Sequence, residues 1–216
     1  MRKAATVSAL VLLLFTPLVA QQQGLTDAMV KSAAVEVPRL VELLGLKPGA
    51  TIADVGAGFG AWTVTFGKWT GPSGRVYATD IGEKQLAFLR EYTKKEGLTN
   101  VTVLAGAPDS TNLPAGCCDA ILIRDAYHHL TQPQGILRSM AAALKPGGRL
   151  AVIDFPPRPN TEVPEGVPAN RRGHGVPPDV VVEEAKAAGF ATVSMNQQWS
   201  AQSQPADLFL IVFRKS

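Results

Sequence analysis

Cysteine is scarce in this chain, which excludes a fold held together by a framework of disulfides. The 216 residues include two cysteines, the neighbours Cys117 and Cys118. Adjacent cysteines cannot join distant segments. They can form a vicinal disulfide in an oxidising compartment, or pack as small apolar groups where a strand begins. Because no further ligands occur at a suitable spacing, the sequence predicts no metal site.

An excess of one charge sign is also lacking. The formal net charge is +3 at pH 7, and two of the positive charges are Arg2 and Lys3. Aromatic residues make up 6% of the chain, and no block of basic residues is interleaved with them. This composition argues against a nucleic-acid-binding surface. An apolar content of 46% can fill a substantial core, so we expect one globular domain.

The first 20 residues contain no acidic side chain and form a distinct unit. Met1-Arg2-Lys3 is positively charged, and residues 4–20 carry no charge. This is the pattern of a secretory signal peptide, with a cleavage site before Gln21. The apolar run is short for a membrane span, but an uncleaved anchor and a packed helix stay open as alternatives. We therefore expect an exported protein, or one attached to a membrane through residues 4–20, with its domain at residues 25–216.

From Leu25 onward, apolar segments with strand and helix periodicity alternate. A helix capped by Thr26 is predicted to end near Leu44. Strands are predicted at 51–55, 75–79, 101–104, 119–123 and 149–154, with helices between most of them. A proline- and glycine-rich segment, 155–178, is too long for a plain connection and is typical of a lid or a solvated loop. Strands at 191–199 and 208–213 follow a short helix and are joined without another, so one of them must run antiparallel.

The segment Ile52 to Trp62 contains the chain's most informative motif. An apolar strand ends in Asp54, and Gly56, Gly58 and Gly60 alternate after it. Glycines in a turn between a strand and a helix let the backbone approach a ligand closely. The spacing D-x-G-x-G-x-G differs from the dinucleotide fingerprint G-x-G-x-x-G. An acid before the first glycine suits a cation better than a pyrophosphate. A tight turn without a ligand is the alternative.

Two further motifs follow in order. The second strand ends in Asp80, at the ~20-residue distance where an acid meets a ribose hydroxyl pair. Asp80 could instead cap the next helix. A helix stop and tight turn at 144–150, LKPGGRL, leads into the fifth strand. With these three motifs, the chain from Leu25 onward resembles the class I S-adenosylmethionine-dependent methyltransferases, in particular the type-11 group, and in general plan the quinone-biosynthesis C-methyltransferases.

The resemblance implies a fold, a cofactor and a set of cofactor contacts. The fold is a Rossmann-like, doubly wound α/β domain whose seven-stranded sheet has the order 3-2-1-4-5-7-6 with an antiparallel last strand. The cofactor is S-adenosylmethionine. Asp54 is expected to face its ammonium, Asp80 its ribose and Ile81 its adenine. The backbone amides of the three glycines are expected near its carboxylate: Gly56, Gly58 and Gly60. The remaining cofactor candidates are Ala57, Asp109 and Arg124.

One acid of the resembled pattern is missing after the third strand. Ala107 replaces the residue that meets the adenine amino group in the family. Asp109 either takes over this contact or is a solvated turn residue. Ala107 is also the one feature that favours an exported binding protein without turnover. An NAD-dependent oxidoreductase is the other alternative, which the glycine spacing and the C-terminal hairpin disfavour.

The acceptor side is expected beyond the fourth strand, which ends in Arg124-Asp125-Ala126-Tyr127-His128-His129. We expect a small-molecule acceptor, with Asp125, Tyr127 and His128 as candidate catalytic residues. Neighbouring histidines point apart, so one of the pair should pack, and His128 is favoured to line the pocket. A base is optional, because alignment supplies much of the rate enhancement in methyl transfer. His174, in an arginine-rich part of the segment 155–178, is predicted to border the same pocket.

Overall fold

The computed structural model describes residues 24–199 and 207–215 of the chain. The predictions for residues 1–20 lie outside these described residues. Within them, no helix combines the length and the apolarity needed to cross a bilayer.

A single seven-stranded sheet organises the domain. Its strands are β1 (Thr51–Val55), β2 (Arg75–Asp80), β3 (Val101–Ala105), β4 (Cys118–Arg124), β5 (Leu144–Asp154), β6 (Phe190–Asn196) and β7 (Phe209–Lys215). Their order is β3-β2-β1-β4-β5-β7-β6. Strands β1 to β5 are parallel, and β7 runs antiparallel to both β5 and β6. The predicted topology is confirmed.

Helices cover both faces of the sheet. They are α1 (Asp27–Leu43), α2 (Ala61–Thr70), α3 (Glu83–Lys95), α4 (Pro133–Ala143) and α5 (Pro178–Ala187), with 3-10 turns at Tyr127–His129 and Ala169–Arg171. The Thr26 side chain caps α1 by accepting a hydrogen bond from the amide of Met29 at 3.2 Å, as predicted. Prolines begin α4 and α5, where the first helical amide has no partner to lose.

Two apolar cores result from the alternation of side chains along the strands. In β4, Ile121 and Ile123 point into the core beneath α4 and α5, while Ala120 and Leu122 point into the core beneath α1 and α2. A strand buried on both faces needs the nearly continuous apolar sequence that β4 has. The central strands are therefore rigid, and the loops at their carboxyl ends are held at fixed positions.

The structure differs from the prediction at several boundaries. Strand β5 begins at Leu144 and includes the glycine turn before it, whereas the prediction began at Arg149. Strand β6 ends at Asn196, short of Trp199, which is 1% exposed. Cys117 and Cys118 are joined by a disulfide, and Cys118 is also buried in the core beneath α4. Both alternatives considered for the cysteine pair thus hold together.

Candidate functional site

A cavity of about 360 Å³ opens at the carboxyl ends of β1, β2 and β4. Its volume is in the range of small-molecule sites, and this edge of an open α/β sheet is where ligands bind. Five of the predicted site residues line it: Gly56, Gly58, Asp80, Ile81 and Asp125. The other predicted residues lie outside its wall: Asp54, Ala57, Gly60, Asp109, Arg124, Tyr127 and His128.

The glycine loop is bonded within the protein. The amides of Gly56 and Ala57 both donate to the carbonyl of Thr79, at 2.8 and 3.0 Å. The amide of Gly60 donates to the carbonyl of Ala57 at 2.9 Å. These amides are therefore already paired, in contrast to the expectation that they face a ligand carboxylate. Gly56 has a positive φ of 68°, and a Cβ there would come within 2.6 Å of the Ala126 Cβ, so this position requires glycine.

Asp54 is buried beneath the loop and holds the start of α2. Its Oδ2 accepts a hydrogen bond from the Thr63 hydroxyl at 2.6 Å, and the carboxylate also accepts from the Thr63 backbone. This carboxylate replaces a side-chain cap, which Gly60 at the N-cap position cannot supply. Burial raises the pKa of Asp54 to about 6, although the Thr63 hydrogen bond opposes the shift. A cation that approached this carboxylate would lower its pKa again.

Asp80 connects the end of β2 to the glycine loop. Its Oδ2 accepts from the Gly58 amide and its Oδ1 from the Gly82 amide, both at 2.9 Å. A carboxylate has about four acceptor positions, so two of them can still accept hydroxyl groups. Asp80 lies on the cavity wall, next to the Ile81 side chain, which is 68% exposed. A carboxylate beside an exposed apolar surface fits a ribose and its base.

The wall after β3 is formed without an acid. Ala107, Pro108 and Ser110 line the cavity, whereas Asp109 is exposed on the outside, against Gly135 of α4. Ala107 and Ser110 pair through backbone hydrogen bonds of 2.7 and 3.3 Å, and this tight turn directs Asp109 away from the cavity. Asp109 therefore lies outside the cavity wall, on which the adenine contact is expected. Ser110 is the polar residue of this turn that lines the cavity.

Arg124 is part of a buried ion pair below the cavity. Its Nε and a terminal nitrogen donate to the two carboxylate oxygens of Glu36 in α1, at 2.8 and 3.1 Å. The guanidinium also lies 3.9 Å from the centroid of the Trp62 ring, whose Nε1 donates to the same carboxylate at 3.0 Å. Arg124 thus joins α1, α2 and β4. Contrary to the prediction, it does not border the cavity.

Tyr127 also lies in the core, because its hydroxyl has a buried partner. The hydroxyl donates to Oε2 of Glu184 at 2.7 Å, and the side chain is fully buried. Burial raises the pKa of Tyr127, and the Glu184 carboxylate raises it further. The same carboxylate accepts two hydrogen bonds from Arg171, at 2.8 and 3.1 Å. Arg171 is therefore used to fasten the segment 155–178 to α5, and it is not available to a ligand.

The structure places the neighbouring histidines differently from the expectation that His128 lines the pocket. His128 is 2% exposed, and its Nδ1 lies 2.8 Å from Oδ1 of the fully buried Asp154. His129 lines the cavity instead. The two rings belong to one cluster with His174, whose ring centroid is 5.0 Å from that of His128 and 5.7 Å from that of His129. The prediction that His174 and His128 lie on the same side of the sheet agrees with this cluster.

Two titratable groups on the acceptor side have shifted pKa values. Desolvation at the wall lowers the pKa of His129 to about 4, with smaller contributions from His128 and His174. Desolvation also raises the pKa of Asp125, and the nearby Asp154 carboxylate adds to this shift. Asp125 has a φ of 54°, a left-handed conformation that a non-glycine residue adopts at some cost. Its amide donates to the Ile153 carbonyl at 2.8 Å, which holds this conformation at the cavity.

Sequence reasoning missed several residues on the wall. Gln85, Ser110, Thr111, His129 and Thr131 line the cavity without having been proposed. Gln85 lies in the first turn of α3, and Thr131 follows the 3-10 turn after β4. Both come shortly after a strand that carries a predicted site residue. The loops after β2 and β4 therefore contained a usable signal, since ligands of open α/β sheets bind at this edge.

Comparison with known proteins shows what the domain is similar to. Residues 52–148 match a family described as "Methyltransferase domain". A crystal structure of an S-adenosylmethionine-dependent methyltransferase from Aquifex aeolicus superposes with a TM-score of 0.68 at 25% identity, over 89% of this chain and 100% of that one. The chain is therefore similar to S-adenosylmethionine-dependent methyltransferases, both over residues 52–148 and in its fold. Of the motifs found in the sequence, D-x-G-x-G-x-G and Asp80 lie within the matched residues, and LKPGGRL lies within them as far as Gly148.

Curated proteins similar to this chain include quinone-biosynthesis enzymes. The ubiquinone/menaquinone biosynthesis C-methyltransferase of Pasteurella multocida is 32% identical over 116 residues, which are 53% of this chain and 43% of that protein. The chain thus spans less than half the length of the curated relatives it matches. The [4+2]-cyclase SpnF shares the fold, with a TM-score of 0.70 at 16% identity over 86% of this chain and 81% of that one. The fold therefore does not by itself specify methyl transfer.

Proposed function

We propose that this protein transfers the methyl group of S-adenosylmethionine to a small-molecule acceptor in an exported or membrane-anchored location. The observation that carries the proposal is Asp80, a carboxylate with spare acceptor capacity on the wall of a cavity at the switch point of the sheet. The matched methyltransferase domain contains this residue. Bound S-adenosylmethionine supplies a methyl group that its sulfonium has already activated.

The residues of the wall suit an adenosine group. The remaining acceptor positions of Asp80 would receive the ribose hydroxyls, and Ile81 would pack against the base. Ser110, in place of the missing acid, would contact the polar edge of the base. Gly58 lines the same wall, and a Cβ built on it would meet no atom within 4 Å. A side chain at this position would instead occupy space that the ligand needs.

The acceptor would bind between Asp125 and His129, on the side of the cavity formed by the loop after β4. The low pKa of His129 keeps its imidazole neutral at neutral pH, so this ring can accept a proton or a hydrogen bond from an acceptor. His128 and Tyr127 would not touch the acceptor, because both side chains are buried and bonded to other residues of the protein. They would affect the site only by holding neighbouring residues in position. Because His129 lies on the cavity wall and His128 does not, His129 is favoured over His128 for contact with the acceptor.

An oxidising location is supported by two observations of different kinds. The charged start and uncharged run at residues 1–20 have the pattern of a signal peptide. The disulfide between Cys117 and Cys118 is a bond that persists outside the reducing cytosol.

Calorimetric titration of the purified protein with S-adenosylmethionine, S-adenosylhomocysteine and NAD tests the cofactor assignment. We expect binding of the first two and none of NAD. Binding of NAD alone would support an oxidoreductase and contradict the proposal. A protein that binds S-adenosylmethionine but forms no S-adenosylhomocysteine with any of a broad panel of phenols, quinols, thiols and amines would be a binding protein without turnover.

A further inference from the structure

All three histidines of the chain meet at one place in the fold. His128 and His129 belong to the 3-10 turn after β4, and His174 belongs to the segment that follows β5. One ring nitrogen from each histidine can be chosen so that these atoms all lie within 4.8 Å of one another. Scattered histidines of a neutral domain have no packing reason to gather, because each imidazole must find polar partners when it is buried.

We propose that His128, His129 and His174 form a binding site for a divalent transition-metal ion of the Zn²⁺ type. Neutral imidazole is a preferred ligand for this class of ion. Three imidazole ligands with one open position are a known arrangement for Zn²⁺. The sequence predicted no metal site, because His174 is too far along the chain from His128 and His129 for a recognisable spacing.

The surroundings of His128 match those of a metal ligand. Asp154 is fully buried, and its Oδ1 is 2.8 Å from His128 Nδ1. Histidine ligands commonly donate their second ring N–H to a carboxylate, which fixes the ring and selects the other nitrogen for the metal. Asp154 also accepts from the amides of His128 and Phe155, at 3.1 and 2.9 Å. These bonds hold the carboxylate in place and leave Nε2 of His128 as the nitrogen that can coordinate.

His174 is brought to the cluster by a turn that needs two glycines. Gly173 and Gly175 flank it with φ values of 137° and 126°. A Cβ on Gly175 would lie 2.6 Å from the Pro156 carbonyl oxygen, so the turn can lie this close to the end of β5 only with glycine. The backbone of His174 is fixed on both sides, since its amide donates to the Thr161 hydroxyl at 2.8 Å and its carbonyl accepts from the Arg158 amide at 2.9 Å.

The nitrogens are close enough to bind an ion after small rotations of the rings. In a tetrahedral site with Zn–N bonds of about 2.1 Å, the ligand nitrogens are roughly 3.4 Å apart. His129 is exposed and His174 is half-buried, so both rings can turn toward the fixed His128. The nearby charges are mixed. The carboxylates of Asp125 and Asp154 are negative, and the Arg158 guanidinium, 4.8 Å from the Phe155 ring centroid, is positive. Asp125, His128 and Asp154 form a second set of possible ligands, but Asp154 already accepts three hydrogen bonds.

The position of the site relates it to the cavity. His129 belongs both to the histidine cluster and to the cavity wall. The open position of a three-histidine ion would therefore be within reach of a molecule bound there. The metal site itself does not depend on the proposed function, because ion binding can be measured with no S-adenosylmethionine present.

Titration of untagged protein with Zn²⁺ tests the site. Without a histidine tag, the only imidazoles present are those of the three clustered histidines. We expect one ion per chain with a Kd below about 10 µM by calorimetry. Co²⁺ should give the strong visible absorption of a four-coordinate ion. His174→Ala should weaken Zn²⁺ binding at least ~10-fold, and Asp154→Asn by ~10- to 100-fold through the orientation of His128.

The matched control is Asp119→Asn, which removes a half-exposed carboxylate at the opposite end of β4 and should leave the affinity unchanged. Thermal melts of each variant without metal show whether it has folded. His174 is half-buried on a loop, so its substitution tests the site even where the Asp154 variant fails to fold. Absence of Zn²⁺ binding by the unmodified protein, or an unchanged Kd in the His129→Ala/His174→Ala double variant, would overturn the proposal.

Discussion

Two carboxylates at adjacent strand ends have different tasks, which substitution of single residues can separate. Asp54 is buried and bonded to Thr63, whereas Asp80 lies on the cavity wall and is bonded to two amides. The environment of each carboxylate, and not its type, sets its role.

Asp80→Ala should weaken binding of S-adenosylmethionine by roughly 1.5–3 kcal/mol, the contribution of a hydrogen bond to a charged group. The substitution also frees the Gly58 amide, which loses its partner at 2.9 Å. Calorimetric titration measures the change. Asp109→Ala is the control, since this exposed residue lies outside the cavity and should leave the affinity unchanged. Equal affinities in wild type and Asp80→Ala, both folded, would remove the ribose assignment.

Asp54 should make the stability of the domain depend on pH. Its folded pKa, about 6, is above the ordinary 3.8, so its contribution to stability is present below pH 4 and is lost as pH rises through 6. The shift of about two pKa units corresponds to about 3 kcal/mol. Asp54→Asn should therefore gain stability relative to wild type between pH 4 and pH 7. Denaturant unfolding of the variant and the wild type at pH 4 and pH 7 measures this gain. The change in their stability difference between the two pH values does not include any pH-independent effect of the new amide. A stability difference that does not change with pH would show that the carboxylate is not desolvated.

At the scale of elements, a buried ion pair fastens α1 to the end of β4. Arg124 and Glu36 have side chains that are 6% and 0% exposed. Glu36→Gln removes the carboxylate charge that pairs with the buried guanidinium and should lower the free energy of unfolding by ~3–5 kcal/mol. Glu96→Gln breaks the pair with Lys68, whose side chain is 58% exposed, and should cost less than about 1 kcal/mol. Chemical denaturation of both variants checks the contrast, and equal losses would contradict it.

The segment 155–178 is anchored to α5 by one of its two adjacent arginines. Arg171 is fully buried and bonded to Glu184, while the Arg172 side chain is 65% exposed. Arg171→Met should therefore raise amide hydrogen exchange across residues 155–178 at least ~10-fold, and Arg172→Met should not. Exchange followed by mass spectrometry measures both. If the two variants exchange alike, the Arg171 ion pair does not hold the segment.

The elements were more predictable from the sequence than the site. Apolar periodicity and glycine turns are local signals, so the strands around Asp54 and Asp80 were found with their ends nearly correct. The partners of Arg124 and Tyr127 come from α1 and α5, and no local pattern shows that Glu36 and Glu184 will reach them. The choice between His128 and His129 likewise depended on Asp154, on another strand.

At the scale of the whole molecule, the proposal of export can be tested directly. Fractionation of cells, followed by sequencing of the mature N-terminus, should find the protein outside the cytosol, either beginning near Gln21 or retained in a membrane fraction. An export-blocked form that lacks residues 2–20 is the matched control. A soluble cytosolic protein that keeps Arg2 would contradict both the cleaved and the anchored versions.

The place of β7 in the sheet has a consequence for the time at which the chain can fold. β7 pairs with β5 on one side and β6 on the other, yet both precede it in the sequence. Until residues 209–215 have emerged from the ribosome, β5 and β6 lack the neighbour that joins them. A nascent chain can therefore build only the part of the sheet from β1 to β5, with an apolar edge still open. The sheet is therefore completed only by the last strand to be synthesised among those described, whichever part of it forms first.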